Sequence, residues 1–315
     1  MEFFTSLLNS MPGAVAQGLI WGIMAIGVYI TYRVLDIADL TVDGSLGTGG
    51  AVCVVLVLNG VPVPLALLAA ALAGMLAGMV TGLFHTACGI PAILAGILTQ
   101  LALYSVNLRI MGTGTGGGKA NLPVSVDKYN LLVSARYVRE AALSNPLVVL
   151  VIFCVVLVAL LYWFFGTELG CSLRATGANQ NMARAQGINT SFAKVLGLMI
   201  SNGLVALCGG LLAQYQGFSD INMGRGAIVI GLAAVIIGEV IFSRIFRNFA
   251  LKLTASIIGA IIYYMVMTFV LRLGLSTDDL KLLTALVVAI FLTVPYWKSR
   301  YFTKPAVRKG GKNNA

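Results

Sequence analysis

Hydrophobicity along the chain comes in long runs, near 11–31, 62–84, 90–110, 146–166, 191–213, 226–242, 249–271 and 280–297. Each meets or approaches the roughly 20 apolar residues that an α-helix needs to cross the hydrocarbon of a bilayer. A shorter apolar piece at 44–59 follows RVLDIADLTVDG, where Asp36, Asp39 and Asp43 interrupt the pattern. The chain either emerges into water there or forms a broken helix beside a polar cavity, since bare backbone is not tolerated against lipid. The pattern predicts an all-α integral membrane protein of about eight or nine transmembrane segments, with broken or re-entrant helices.

Composition supports that solvent. With 59% hydrophobic and 10% charged residues and a mean hydropathy of +0.94, a soluble fold would be largely apolar outside. Gly74 and Gly78, four apart in an apolar run, suit close helix contact. The net charge of +10 is concentrated: Lys298, Arg300, Lys304, Arg308, Lys309 and Lys312 crowd the tail, which reads as the cytosolic tail of a membrane protein and not as a nucleic-acid site. Arg174, Arg184 and Lys194 flank one loop and Arg244, Arg247 and Lys252 another, against poorly basic connections at 214–225 and 272–280. The basic loops are expected in the cytosol. The 111–145 connection then lies outside, despite Lys119, Lys128, Arg136 and Arg139, because long loops follow the charge rule poorly. No Lys or Arg precedes Arg33, so the first apolar segment is expected to be retained, not cleaved as a signal peptide. Cys53, Cys88, Cys154, Cys171 and Cys208 lack paired or metal-ligand spacing and read as small buried hydrophobes.

The whole chain, 1–315, is expected to form one transmembrane domain: a first half at 1–166 with the external loop near 111–145, a cytosolic segment at 167–190, a second half at 191–297 and the basic tail at 298–315. The halves echo each other weakly. ADLTVDGSLGTGGAV at 38–52 resembles SDINMGRGAIVIGLAAV at 219–235, matching Asp39 with Asp220, Gly44 with Gly226 and Gly49 with Gly231. Repeats of this kind place broken helices near a translocation path, which makes Asp39, Asp43, Asp220 and Asn222 candidates for lining it, or for capping half-helices.

Enzymatic chemistry finds no foothold. GTGTGGGKA at 112–120 superficially suggests a phosphate loop, but Thr113 stands where that motif needs Gly and Ala120 where it needs a hydroxyl. His85, the single histidine, lies at the end of an apolar run without a carboxylate partner, a poor proton relay. No cofactor is implied, so the energy for any driven transport comes from elsewhere: an ion gradient acting through Asp36, Asp39, Asp43, Asp220 or Glu239, as in a secondary transporter, or an ATPase docked on the cytosolic side.

The most informative stretch is GCSLRATGANQNMARAQGINTSFAK at 170–194. Asn179 is a good N-cap for a short helix over QNMARAQ, Gly187 can end it in the left-handed region, and Gly177 is expected to break the chain just before it. Gly170, Leu173, Arg174, Ala175, Gly177, Asn179, Ala183, Arg184, Gly187 and Ile188 together write G-x-x-L-R-A-x-G-x-N-x-x-x-A-R-x-x-G-I. This resembles the coupling segment of ATP-binding-cassette importer permeases of the ribose and branched-chain amino-acid group. The likeness extends over nearly the whole chain, and LTVDG at 40–44 resembles a subset assigned to tryptophan or tyrosine transport. The resemblance implies a permease pair, expected as a homodimer in membrane lipid, with cytosolic ATP-binding subunits and an extracytoplasmic solute-binding protein or lipoprotein. It implies coupling roles for Arg174, Gly177, Asn179, Ala183, Arg184 and Gly187, and an aromatic amino acid as the solute.

Overall fold

The computed structural model describes residues 2–272, except 114–116, 126–127, 130, 138–144 and 243–247, and scattered positions between 282 and 293. Helices form where the apolar runs lie. Helix α1 (Glu2–Tyr29) continues through a π-helical turn (Ile30–Val34) and is followed by α2 (Val42–Leu58), α3 (Val63–Thr86), α4 (Ala92–Met111) and α5 (Pro146–Gly166). Two shorter helices, α6 (Glu168–Ala178) and α7 (Gln180–Ala185), precede α8 (Thr190–Gln216), α9 (Ala227–Phe242) and α10 (Phe249–Arg272). Six of the described helices are long and apolar enough to cross a membrane. The expected span at 280–297 falls mostly, and the basic tail at 298–315 and Arg244 and Arg247 wholly, outside the described residues.

The bundle is built around α1 and α8, which bury most of their length, while α3, α4 and α5 turn apolar side chains outward. Leu72 is 59%, Leu101 65% and Val155 63% exposed, the mark of faces that meet lipid. Helices α3 and α8 approach closely at Gly74 and Gly78, where a Cβ would overlap the carbonyl oxygens of Asn202 and Leu198. The glycine pair therefore serves packing within the chain.

Two faces can be distinguished. At one, a two-stranded antiparallel ribbon pairs β1 (Asn121–Pro123) with β2 (Phe218–Asp220), with Leu122 opposite Ser219, and Tyr215 Oη donates to the Gly13 carbonyl (3.4 Å). At the other lie α6, α7 and the end of α1. Of the cysteines, Cys53, Cys154 and Cys208 are buried, but Cys88 and Cys171 are exposed. That corrects the expectation for these two. Cys88 follows the end of α3 and Cys171 sits on α6, beyond the reach of the packed apolar core.

Candidate functional site

The segment after α5 is organised by local capping. Thr167 Oγ1 accepts from Gly170 N (3.4 Å) at the start of α6. Asn179 is extended at φ −158° and ψ 103°, and its Oδ1 accepts from Met182 N (3.0 Å) to open α7. Gly187 takes φ +82°, the left-handed conformation expected of it. Arg184 Nε donates to Thr190 Oγ1 (2.9 Å), tying α7 to the start of α8. Ala183 is buried and Met182 is 63% exposed, so α7 seats one face and presents an apolar knob with the other. The Arg174 guanidinium lies 5.3 Å from the centre of the Phe249 ring, a cation–π distance.

Gly177 does not break the chain. It lies inside α6, and the interruption falls at Asn179. Its lack of a side chain serves a different purpose: a Cβ there would overlap the carbonyl oxygen of Val34, at the end of the π-helical turn. Helix α6 thus rests directly on the backbone of α1. Leu35, next in the chain, is buried with its methyl groups against Gly197 of α8, beside Leu173 of α6.

From this contact the chain turns through Asp36, at φ +57°, into the break between α1 and α2. Within that break Asp36 and Ala38 are exposed, but Asp39 is enclosed. Asp39, 3% exposed, accepts from Thr41 N through Oδ1 (2.9 Å) and from Asn202 Nδ2 through Oδ2 (2.6 Å). Asn202 also accepts from Ser45 Oγ (2.6 Å) and donates to the Leu198 carbonyl (3.0 Å). Beside it, Thr41 Oγ1 and Thr81 Oγ1 share a hydrogen bond (2.7 Å), and Thr81 donates to Thr99 (2.9 Å). Asp39 is in this conformation a strut between α2 and α8. The rim of the same region is tied by an ion pair, Arg33 Nε to Glu239 Oε1 (2.7 Å).

The matched segment of the second half meets the first directly. After β2, the chain runs down the side of α2: Ser219 and Met223 lie against Gly50, and Gly224 lies against the Asp43 carbonyl. Asp43 then accepts from Gly226 N through Oδ2 (2.9 Å) and from Ile228 N through Oδ1 (3.0 Å), capping α9 from 183 residues away. Asp220 repeats the local chemistry of Asp39, its Oδ1 accepting from the amide two residues on, Asn222 N (2.7 Å), and its Oδ2 from Asn121 Nδ2 (3.3 Å). Of the four path candidates, Asp39 is enclosed, Asp43 is a cap, Asp220 is half-buried at the ribbon and Asn222 is exposed.

Reading the sequence alone missed Asn202, the three threonines and Leu35. A lone Asn inside the run at 191–213 is itself a signal, because an amide within an apolar helix needs a partner; the partner's identity is not written nearby. No group of His, Cys, Asp and Glu able to hold a metal ion occurs among the described residues. What the arrangement contains is a chain of contacts: α6 rests on Val34 and Leu35, and the short 36–41 link joins these to the Asp39–Asn202 pair.

Comparison with known proteins agrees with this picture. The chain is 41% identical over 285 residues, 90% of its length and 91% of the relative's, to a tyrosine transport system permease protein of Clostridioides difficile. It is 37% identical, over 91% of its length and 98% of the relative's, to an uncharacterised protein of Rickettsia prowazekii. Its fold is similar to a chain in a structure of PsaBC from Streptococcus pneumoniae in complex with Fab, with a TM-score of 0.53 at 15% identity, covering 95% of this chain and 98% of that one. The family model for the permease component of the branched-chain amino acid transport system matches residues 11–294, and the chain is a multi-pass membrane permease belonging to that family.

Proposed function

We propose that this chain is the membrane subunit of an ATP-driven importer and that α6 and α7 are the elements through which a cytosolic ATP-binding subunit drives it. The observation that carries the reading is the contact between Gly177 and Val34, because it sets α6, which carries the exposed Arg174 and leads into α7 with its exposed Met182 and Arg184, directly on the backbone that leads to the break. A helix presenting an apolar knob and flanking cations suits a groove in a partner. Arg33, Arg174, Arg184 and Lys194 gather on this face, which supports placing it in the cytosol.

An external source of energy is favoured over an ion gradient because the intramembrane acids are already engaged: Asp39 and Asp43 by amides, Glu239 by Arg33. The functional unit we propose is two copies of this chain, two ATP-binding subunits, and a solute-binding protein or lipoprotein on the ribbon face. The solute is an aromatic amino acid, a reading supported by the relative in tyrosine transport.

The test is co-purification with the ATP-binding protein encoded beside the gene, using wild type and a membrane-inserted double variant, Arg174→Glu with Arg184→Glu. Charge reversal is expected to release the ATPase while leaving the permease yield unchanged, through changed electrostatic complementarity. A double variant that retains the ATPase as wild type does would remove α6 and α7 from the coupling surface.

A further inference from the structure

Arg225 stands between two glycines that are both fastened to Asp43: Gly224 lies against its carbonyl and Gly226 N donates to its carboxylate (2.9 Å). Its position along the bundle follows from the helices on either side. At about 1.5 Å per residue, roughly 20 Å of α2 separates Asp43 from the ribbon-face end at Leu58, and roughly 20 Å of α9 separates Gly226 from Glu239 at the opposite rim. Since the hydrocarbon core of a bilayer is about 30 Å thick, Arg225 lies near its mid-depth.

At that depth Arg225 is exposed on the surface of the chain, as is Asn222, whose carbonyl accepts from Arg225 N (3.0 Å). Arg225 makes no ion pair with any described residue. A guanidinium facing hydrocarbon is costly, so a surface that carries one at mid-depth faces water or a partner. The stretch that presents it is non-helical backbone at membrane depth, which is tolerated only where it is buried in protein or lines an aqueous cavity, and Asn222 and Arg225 are exposed on this chain. Asn107, at the same end of α2, reaches the Gly44 carbonyl with Nδ2 (3.4 Å) and leaves its buried side-chain oxygen without a partner among the described residues.

We infer that Arg225 lines the translocation path at its midpoint and engages the anionic group of the passing solute, the carboxylate in the case of an amino acid. This deepens the importer reading and rests on it for the direction of transport and the solute class. The guanidinium fork matches a carboxylate in two parallel hydrogen bonds. Asn222, one turn away, adds a neutral donor and acceptor beside it.

The test needs no transport. In a chain whose exposed cysteines Cys88 and Cys171 are replaced by serine, Asn222→Cys is treated in cells with two membrane-impermeant methanethiosulfonates, one bearing a sulfonate and one a trimethylammonium group. The introduced thiol is expected to react, with the sulfonate favoured. Arg225→Gln is expected to lower the sulfonate-to-ammonium rate ratio about tenfold, the scale on which a charged cleft concentrates an ion, and Arg225→Lys to keep most of it. An Asn222→Cys thiol inert to both reagents, as it would be beneath lipid or a second copy of the chain, overturns the assignment. So does a rate ratio that Arg225→Gln leaves unchanged. An ATPase that never co-purifies, with labelling as expected, would sink the energy source while sparing the path.

Discussion

At the scale of single residues, the centre of the permease depends on polar groups that satisfy one another inside an apolar bundle. Asn202 is the hub: its amide donates to Asp39 and to the Leu198 carbonyl while its oxygen accepts from Ser45. No rotation of the side chain serves all three otherwise. Removing it leaves a buried carboxyl and a buried hydroxyl without their partner, so Asn202→Ala is expected to lower stability by about 2 kcal/mol or more, read as an earlier unfolding transition of the purified protein in detergent. Asp39→Asn is the sharper case, because with Oδ1 kept on Thr41 N it sets one amide N–H against another at position 202, and turning either side chain costs Ser45 or Thr41 its acceptor. It is expected to destabilise comparably despite the near-identical shape; equal stability to wild type would show that the pair is not a strut.

At the scale of elements, the helices were legible because the bilayer writes them into composition: the apolar runs reappear as α1, which begins nine residues earlier than its run, and as α3, α4, α5, α8, α9 and α10 with small differences at their ends, and the short piece at 44–59 is α2. Local capping was legible for the same reason, since Asn179 and Gly187 act on atoms a few residues away. Gly177 was misread because its reason is tertiary. A glycine ahead of a cap looks like a breaker until Val34 is placed against it. The contact makes a specific expectation. Gly177→Val drives a side chain into the Val34 carbonyl, an overpacking of about 1–3 kcal/mol, and pries α6 from α1. The variant is expected to bind the proposed ATP-binding subunit, since the outer surface of α7 is untouched, yet to lose the response of ATP hydrolysis to solute and binding protein in the reconstituted complex. A response equal to wild type would mean that motion reaches the bundle by another route.

At the scale of the whole molecule, the two halves seen as an echo in sequence are not separable bodies. Helix α1 packs against α8, α9 and α10, and α2 and α3 pack against α8. A fragment ending at residue 166 is therefore expected to insert but not to settle, and pulse-chase labelling should show it degraded far faster than the full chain unless residues 167–315 are supplied on a second chain. The order of synthesis gives the Asp43 cap a further meaning. The carboxylate enters the membrane 183 residues before the amide it will hold exists, and Asp39 precedes Asn202 by 163. Until α8 and α9 emerge, Asp43 lacks the amides it caps and Asp39 has only Thr41 N, and α2 is a poor candidate to insert unaided. The nascent first half must be sheltered beside the insertion machinery while it waits, so the timing of translation over the second half, and not only its sequence, belongs to how this permease is made.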